Sequence, residues 1–548
     1  MKDDIKNKIK VDTAVILACG MGTRLAPLTF DTPKCMLKAK GEVLIERQIK
    51  QMKEKGIEEI IVAVGYLKEK FEYLKNKYNV KLVYNEEYNK KNTLSTLHKV
   101  MPHLKDKSFY ISVADIYLDE NVFNEYEMYS HFKSVYIEGA HDEWWVELDK
   151  ENRIIKINRH SDVSSYTMVG IAFFSKEDGK ILSKYCDELY NKEGTESFYW
   201  EEILYTYLNE FKNFYQVKLK KNIFHEFDTF EELKAFNNAT NENKYNDYGS
   251  KTLSIVACAM NVKESEIEDI EVGKYGLTNK SFVFTVKNEN PKKKYLVRVP
   301  GVGTNEYIIR KDERIILNEL KKYDVTENII YYDDEGYKIS EFFNNARQLD
   351  INNEEELTCA IKLLKKIHSY DIKITNVNDI EDSIDSYLHI AKHHNINIPE
   401  DIKNTEPKIR EIMKFKASLN RPHRFCHGDF NPTNVLFTDK GIRIIDFEYS
   451  IMSDPLTDIS CFGGYCGLSI EKIIELYDIY YKAEGDNSIY DGISDKDLKK
   501  LYISYIAMCS FYDCIWGIIN EYLSNTNVTD YIKNNKELLM SSLKKLGD

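Results

Sequence analysis

The sequence predicts two domains in tandem, an α/β domain with helices layered on a largely parallel sheet and then a bilobal α+β domain. Three observations carry this prediction. Apolar strands alternate with helical stretches over roughly the first 115 residues. A polar break follows at 239–250. Beyond it the texture changes to short alternating strands, one helix and then a long helical region. A chain of 548 residues is too long for one compact core, and each half is large enough to bury its own.

In the first domain, residues 13–18 (Thr-Ala-Val-Ile-Leu-Ala) form a short apolar run ending near Gly20, which reads as a buried strand entering a glycine loop. Helical spacing follows over 43–55 and again over 71–78. Residues 59–64, 80–84 and 109–113 are further strands, with Gly65 and Asp115 just past two of them. Strand–helix alternation implies parallel pairing, and such sheets bind ligands at the carboxyl ends of their strands, where Gly20, Gly65 and Asp115 fall. In the second domain, 282–286 and 295–299 alternate like an antiparallel hairpin. A helix is expected over 312–323, strands over 329–332 and 337–341, and mostly helix from Glu354 onward. Five small strands with one helix, then a helical lobe, give the bilobal order. The expected boundaries are 1–238, a linker at 239–250 and 251–548, with lobes dividing near 345.

Bulk properties exclude several functions. The composition is 43% hydrophobic and 30% charged, that of a globular protein. A net charge of −13 argues against nucleic acid or an anionic membrane as the main partner. The ten cysteines contain no Cys-x-x-Cys pair, so reduced, buried thiols are expected rather than a metal or disulfide framework. The first residues lack the apolar core of a signal peptide, and the apolar stretch 506–519 carries Asp513 and is too short to span a bilayer. A cytoplasmic protein is expected.

The loop Leu17-Ala-Cys-Gly-Met-Gly-Thr-Arg-Leu-Ala-Pro-Leu-Thr-Phe-Asp-Thr-Pro-Lys34 follows the first strand directly. Gly20 and Gly22 let backbone N–H groups approach an anion, and Arg24 and Lys34 bring positive charge to it. It is not a Walker loop, since no Gly-Lys-Ser/Thr follows. Nor is it a dinucleotide fingerprint, since Leu25 stands where the third glycine belongs. Two glycines alone would mark only a tight turn. The full string resembles the signature of nucleotidyltransferases of the sugar-phosphate and phosphocholine type. That resemblance implies a Rossmann-like, GT-A-like mixed sheet and transfer of NMP from an NTP to a phosphate with release of pyrophosphate. The attacking phosphate is already ionised, so catalysis would rest on positioning and charge neutralisation. It implies nucleotide contacts at Ala18, Gly20, Gly22, Thr23 and Asn85, catalytic charges at Arg24 and Lys34, and Mg²⁺ carboxylates at Asp115 and Asp228. Read singly, either Asp would be a cap or loop residue.

Across 13–236 the likeness narrows to bacterial CTP:phosphocholine cytidylyltransferases, through 42–48, 64–68, 71–74, 85–95, Asp142-Glu-Trp-Trp145, Phe198-Tyr-Trp-Glu201 and Glu226-Phe-Asp228. A quaternary ammonium has no N–H to donate, so aromatic faces and carboxylates must recognise it. The resemblance puts Trp144, Tyr199 and Trp200 in that role, with Glu143 or Glu201 as counter-charge; each aromatic could equally be core. The family's Asp-Ala-Asp appears here as Val113-Ala-Asp115, which leaves the metal geometry open.

The second half contains Phe425-Cys-His-Gly-Asp-Phe-Asn-Pro-Thr-Asn434, then Ile444-Ile-Asp-Phe-Glu448. Asp-x4-Asn followed by a second Asp is the kinase arrangement of base and metal ligands. The pair resembles the choline and aminoglycoside kinase superfamily. The resemblance implies a protein-kinase-like fold, Asp429 as base, Asn434 and Asp446 as Mg²⁺ ligands, and ATP contacts at Thr278 and Asn279. Arg298 would stand where kinases place a lysine, with Glu313 as helix partner, or it is a surface strand residue. Ser510-Phe-Tyr-Asp-Cys-Ile-Trp-Gly517 resembles the family's choline-caging helix, with Trp516 the best match and Phe511 and Tyr512 in place of an earlier Trp.

Together the halves imply an enzyme that phosphorylates choline with ATP and couples the phosphocholine to CTP. The expected partners are small molecules and Mg²⁺, with no nucleic acid and a homo-oligomer left open. Ethanolamine or an aminoalkyl phosphonate, a sugar kinase with a sugar-1-phosphate nucleotidyltransferase, and one domain reduced to a non-catalytic sensor stand as alternatives.

Overall fold

The computed structural model describes residues 8–239, 245, 247–273, 279–301, 309–372, 374, 379–485, 487–524 and 527–547. The chain divides into two compact units, Met1–Glu266 and Ile267–Asp548.

The first unit is built on a nine-stranded sheet. With His131–Ile137 and Tyr215–Lys218 off the main path, its spatial order runs Ile154–Asn158, Trp145–Leu148, Ser165–Phe174, Phe109–Val113, Thr13–Ala18, Glu59–Val64, Lys81–Tyr84. The last four pair in parallel, with Ile16 opposite Val62 and Leu17 opposite Val113. Thr13–Ala18 is buried at every position, as a central strand covered on both faces must be. Ser165–Phe174 pairs antiparallel with Phe109–Val113, which makes the sheet mixed. One core packs on each face, one around Leu97, Phe132 and Trp200, the other around Ile45, Ile49 and Phe71.

The unit boundary lies later than the polar stretch at 239–250. Tyr248 is fully buried, its ring edge-on to Phe230, and its carbonyl accepts from Lys38 N–H. The helix Lys251–Met260, capped by Ser250, is tied back by Thr252 Oγ1, which donates to Asp31 Oδ2 at 2.7 Å. Residues 247–266 therefore belong with the first unit.

The second unit opens with an antiparallel five-stranded sheet ordered Ile267–Val272, Asn279–Val286, Lys294–Pro300, Lys338–Glu341, Ile329–Tyr332. The helix Arg310–Leu320 follows the third strand in sequence. The helical part follows, centred on Asp495–Ser524, a 30-residue helix. That helix is longer than the 506–519 stretch suggested. Its apolar window has a mean hydropathy of 1.3 and is 78% buried inside the unit, so the apolar side chains cover the unit's own core.

Candidate active sites

In the first unit, the chain leaves Thr13–Ala18 into the glycine loop. Gly22 has φ +62°, and a Cβ there would lie 2.9 Å from Lys34 Cβ, so only glycine lets the loop close on Lys34. Thr29 Oγ1 donates to Gly22 O at 2.9 Å and fixes the turn. Ala18 ends the strand, Thr23 begins the next turn, and a side chain at Gly20 would meet open space.

Lys34 is the hub. Its Nζ lies 2.7 Å from Asp115 Oδ2 and 3.5 Å from Asp228 Oδ1, while Arg24 donates to Asp228 Oδ2 at 2.9 Å. Burial alone would pull the Lys34 ammonium down, but Asp115, with Glu226 and Asp228 behind it, holds it above its usual range. A short ladder brings these groups together: Glu226 on Phe224–Glu226 lies opposite Ile116, the residue after Asp115. Burial, then the negative field of Asp115, pushes the Glu226 carboxyl up to about 7, with Asp228 and Glu143 adding to it against Lys34. Burial also lifts Glu201 to about 8, with Glu202 and Glu226 contributing. Glu143, Glu201 and the pair Asp115/Asp228 thus sit within electrostatic reach of Glu226, which stands in the Glu226-Phe-Asp228 motif. Its signal was its place two residues before Asp228.

The aromatic residues divide. Tyr199 is 50% exposed and free to face a ligand. Trp144 is half-buried, edge-on to Tyr205 at 5.8 Å, and the Arg159 guanidinium stands over both rings at 5.2 and 4.6 Å while pairing with Glu202. Trp200 is corrected to a core residue. It is 0% exposed, stacked on Phe132 at 5.5 Å and flanked by Phe174, so no ligand-facing surface remains. Asn85 is corrected likewise. It is fully buried, donating to Ser95 and Thr96 hydroxyls at 3.0 Å and accepting from Glu87 N–H, so its carboxamide is spent inside the fold.

In the second unit, the Asp429 loop sits between paired strands Arg424–Cys426 and Ile451–Ser453. Gly428 has φ +79°, and a Cβ there would stand 1.9 Å from Tyr449 O. Asp458, fully buried, accepts from His427 N–H at 2.7 Å and Gly428 N–H at 2.8 Å, with the His368 ring at 2.9 Å. Burial opposes its charge, but His368 and these donors hold its carboxyl below the usual range. Asn431 and Asn434 donate to the two Asp429 oxygens at 3.0 and 2.9 Å. Burial, then Asp446, pushes Asp429 well above the ordinary carboxylate range.

Arg298 is buried rather than on the surface. It lies 2.7 Å from Glu313, 2.8 Å from Asp446 and 3.4 Å from Glu448. Arg310 holds Glu448 at 2.6 Å. Burial opposes ionisation of Glu313, yet Arg298 wins and takes its carboxyl down to about 2. Asn279 donates to both Glu448 oxygens at 3.0 Å and accepts from Arg310, so it braces this cluster. Thr278 lies outside the described residues. Asp429, Asn434, Asp446, Tyr512 and Trp516 all line one cavity of 640 Å³, joined by Tyr531, whose ring is edge-on to Trp516 at 5.6 Å. Phe511 is corrected to core: it is 0% exposed and does not line the cavity.

The nucleotidyl transferase profile matches residues 13–136, and the choline/ethanolamine kinase profile matches residues 270–540. A 2-aminoethylphosphonate cytidylyltransferase of Lancefieldella rimae is 34% identical over 226 residues, 41% of this chain and 91% of that protein. A choline-phosphate cytidylyltransferase of Streptococcus pneumoniae is 34% identical over 221 residues, 40% of this chain and 95% of that one. The chain belongs to the nucleotidyl transferase family in its first unit and to the choline/ethanolamine kinase family in its second. A solved choline kinase LicA from Streptococcus pneumoniae is 20% identical, covering 54% of this chain and 98% of that one, with a TM-score of 0.44. The chain is therefore an enzyme with a nucleotidyltransferase domain and a choline/ethanolamine kinase domain, as the two sequence signatures implied.

Proposed function

We propose that the chain makes CDP-choline in two steps, phosphorylating choline with ATP and then transferring CMP from CTP to the phosphocholine. The observation that carries this reading is that Asp429 shares its cavity with Trp516, Tyr512 and Tyr531. A base for a hydroxyl and aromatic faces for an ammonium are what an amino alcohol requires at its two ends. The substrate hydroxyl gives its proton to Asp429 as its oxygen bonds to the γ-phosphorus, and ADP leaves. Asn431 and Asn434 aim the carboxylate, and the Arg298–Glu313 pair fixes the strand beside it.

In the first unit, a phosphocholine oxygen attacks the α-phosphorus of CTP and pyrophosphate leaves. Lys34 and Arg24 neutralise the charge that develops, Glu226 and Glu143 receive the ammonium, and the exposed Tyr199 ring offers it an aromatic face. Mg²⁺ fits both sites. Asp115 and Asp228 converge on one lysine, and Asp446 faces the kinase cavity beside Asn434, all with hard oxygen donors. When bound, the ion supplies charge neutralisation at the transferring phosphorus.

A second reading is favoured by the Lancefieldella rimae relative, named for 2-aminoethylphosphonate. On that reading the first unit accepts an aminoalkyl phosphonate. Phosphorus NMR on the full chain with ATP, CTP and Mg²⁺ separates the two, with choline, ethanolamine or 2-aminoethylphosphonate supplied in parallel. Conversion of choline to phosphocholine and then CDP-choline is the expected result. CMP transfer to the phosphonate alone would sink the two-step choline reading.

A further inference from the structure

The kinase cavity contains an acid that the proposed mechanism does not use. Asp513 lies on the Asp495–Ser524 helix between Tyr512 and Trp516, lines the cavity with them, and is 4% exposed. The Tyr531 hydroxyl hydrogen-bonds its carboxyl. Its Oδ2 has no hydrogen-bond partner. A methyl built on Gly464 would stand 3.2 Å from this oxygen and 2.3 Å from Asn535 Oδ1, which is also buried without a partner. Among the described residues neither oxygen accepts a hydrogen bond. Tyr465 and Trp516 both pack edge-on to the Tyr531 ring, at 6.1 and 5.6 Å, and Tyr465 also lines the cavity.

An acceptor buried without a partner is costly, and a carboxylate more so, unless something positive reaches it. Burial pushes the carboxyl up to about 8 against the Tyr531 hydrogen bond, so its charge depends on a cation beside it. No arginine or lysine among the described residues pairs with it. Aromatic faces alone attract a cation weakly and also accept a neutral alkyl group of the same shape. A carboxyl among them that ionises when a cation comes beside it makes the same pocket read charge.

We propose that Asp513 is the specificity-determining anion of the kinase cavity, selecting cationic amino alcohols over neutral alcohols of equal shape. This rests on the kinase reading given above. It also gives two acids of one cavity separate tasks, Asp429 receiving the hydroxyl and Asp513 the ammonium.

The test compares choline with 3,3-dimethylbutan-1-ol, in which carbon replaces the ammonium nitrogen, on wild-type full chain and on Asp513→Asn. Asparagine keeps the shape and can still donate to Asn535, so a purely structural role would leave kinetics unchanged. The expected result is a wild-type preference for choline of about 30-fold or more in kcat/KM, the scale of losing one partner of a buried charge pair. In Asp513→Asn that preference should collapse through a raised KM for choline, with kcat little changed. Asp513→Leu, which removes charge and polarity together, should behave the same way and serves if the asparagine variant does not fold. An unchanged preference in either folded variant overturns the proposal while leaving the kinase reading intact. Failure of wild type to phosphorylate any amino alcohol overturns the kinase reading itself.

Discussion

Gly428→Ala isolates what the loop before Asp429 demands of the backbone. Two costs add at this position. The first is the left-handed conformation, φ +79°, which costs a residue with a Cβ about 1–2 kcal/mol. The second is contact: the new Cβ would lie 1.9 Å from Tyr449 O, against about 3.3 Å for a tolerable approach. A backbone carbonyl cannot rotate away as a side-chain tip can, so the loop or the Phe447–Tyr449 turn must move by more than an ångström. Overpacking of this kind costs roughly a further 1–3 kcal/mol. The same movement shifts Asp429, and an ångström of misplacement costs about 100-fold in rate. Gly492→Ala is the control, since Gly492 has φ +75° with nothing within 4 Å of the new Cβ. We expect Gly492→Ala to lose only the conformational cost in a denaturant titration and to keep kinase turnover. Gly428→Ala should lose about 2–5 kcal/mol and about 100-fold or more in turnover. Equal behaviour of the two variants would refute the reasoning, because only the carbonyl contact distinguishes them.

Asp115→Asn should lower CMP transfer by about 100-fold or more while kinase turnover stays at the wild-type level, read in separate phosphorus NMR assays. Asn85→Ala should destabilise the first unit by about 1–3 kcal/mol, through the lost bonds to Ser95, Thr96 and the Glu87 N–H, with KM for CTP unchanged. A raised KM with unchanged stability would return Asn85 to the nucleotide site. Glu313 titrates at about 2 when folded against an ordinary 4.5, so its contribution is fully present above pH 4.5 and is lost as pH falls through about 2. The stability gap between wild type and Glu313→Gln, followed by urea denaturation, should therefore narrow as pH is lowered across that window.

The parallel strands of the first unit were legible because each is a short apolar run buried on both faces, and Thr13–Ala18, Glu59–Val64 and Phe109–Val113 fall where the runs do. The charged and polar residues of both sites were legible as well: Lys34 reaches Asp115 and Asp228, and Asp429, Asn434 and Asp446 share one cavity. What failed was telling neighbours apart. Tyr199 and Trp200 are adjacent in sequence, yet one is half-exposed and the other sealed, because the turn they occupy carries their side chains in different directions. On the Asp495–Ser524 helix, each residue turns about 100° from the last, so Tyr512 faces the cavity and Phe511 the core. Asn85 could not be told from a ligand contact because its partners sit 10 and 11 residues away on a helix whose facing is a tertiary fact. Asp458 was invisible for the same reason. Nothing local marks an acid that braces a loop about 30 residues upstream.

The helix Lys251–Met260 bears on how the two activities could be taken apart. Through Thr252 it grips Asp31, inside the loop that carries Lys34, and Tyr248 is sealed against the same unit. A truncation made in the polar stretch near residue 239 would discard that grip along with the supposed linker. The resulting fragment would be weak in CMP transfer for a reason that has nothing to do with the missing kinase. Restoring activity by adding the kinase half back could then be misread as substrate handover between the two enzymes. A fragment ending at Glu266 keeps the anchor, so any dependence it still shows on the second half would be genuine.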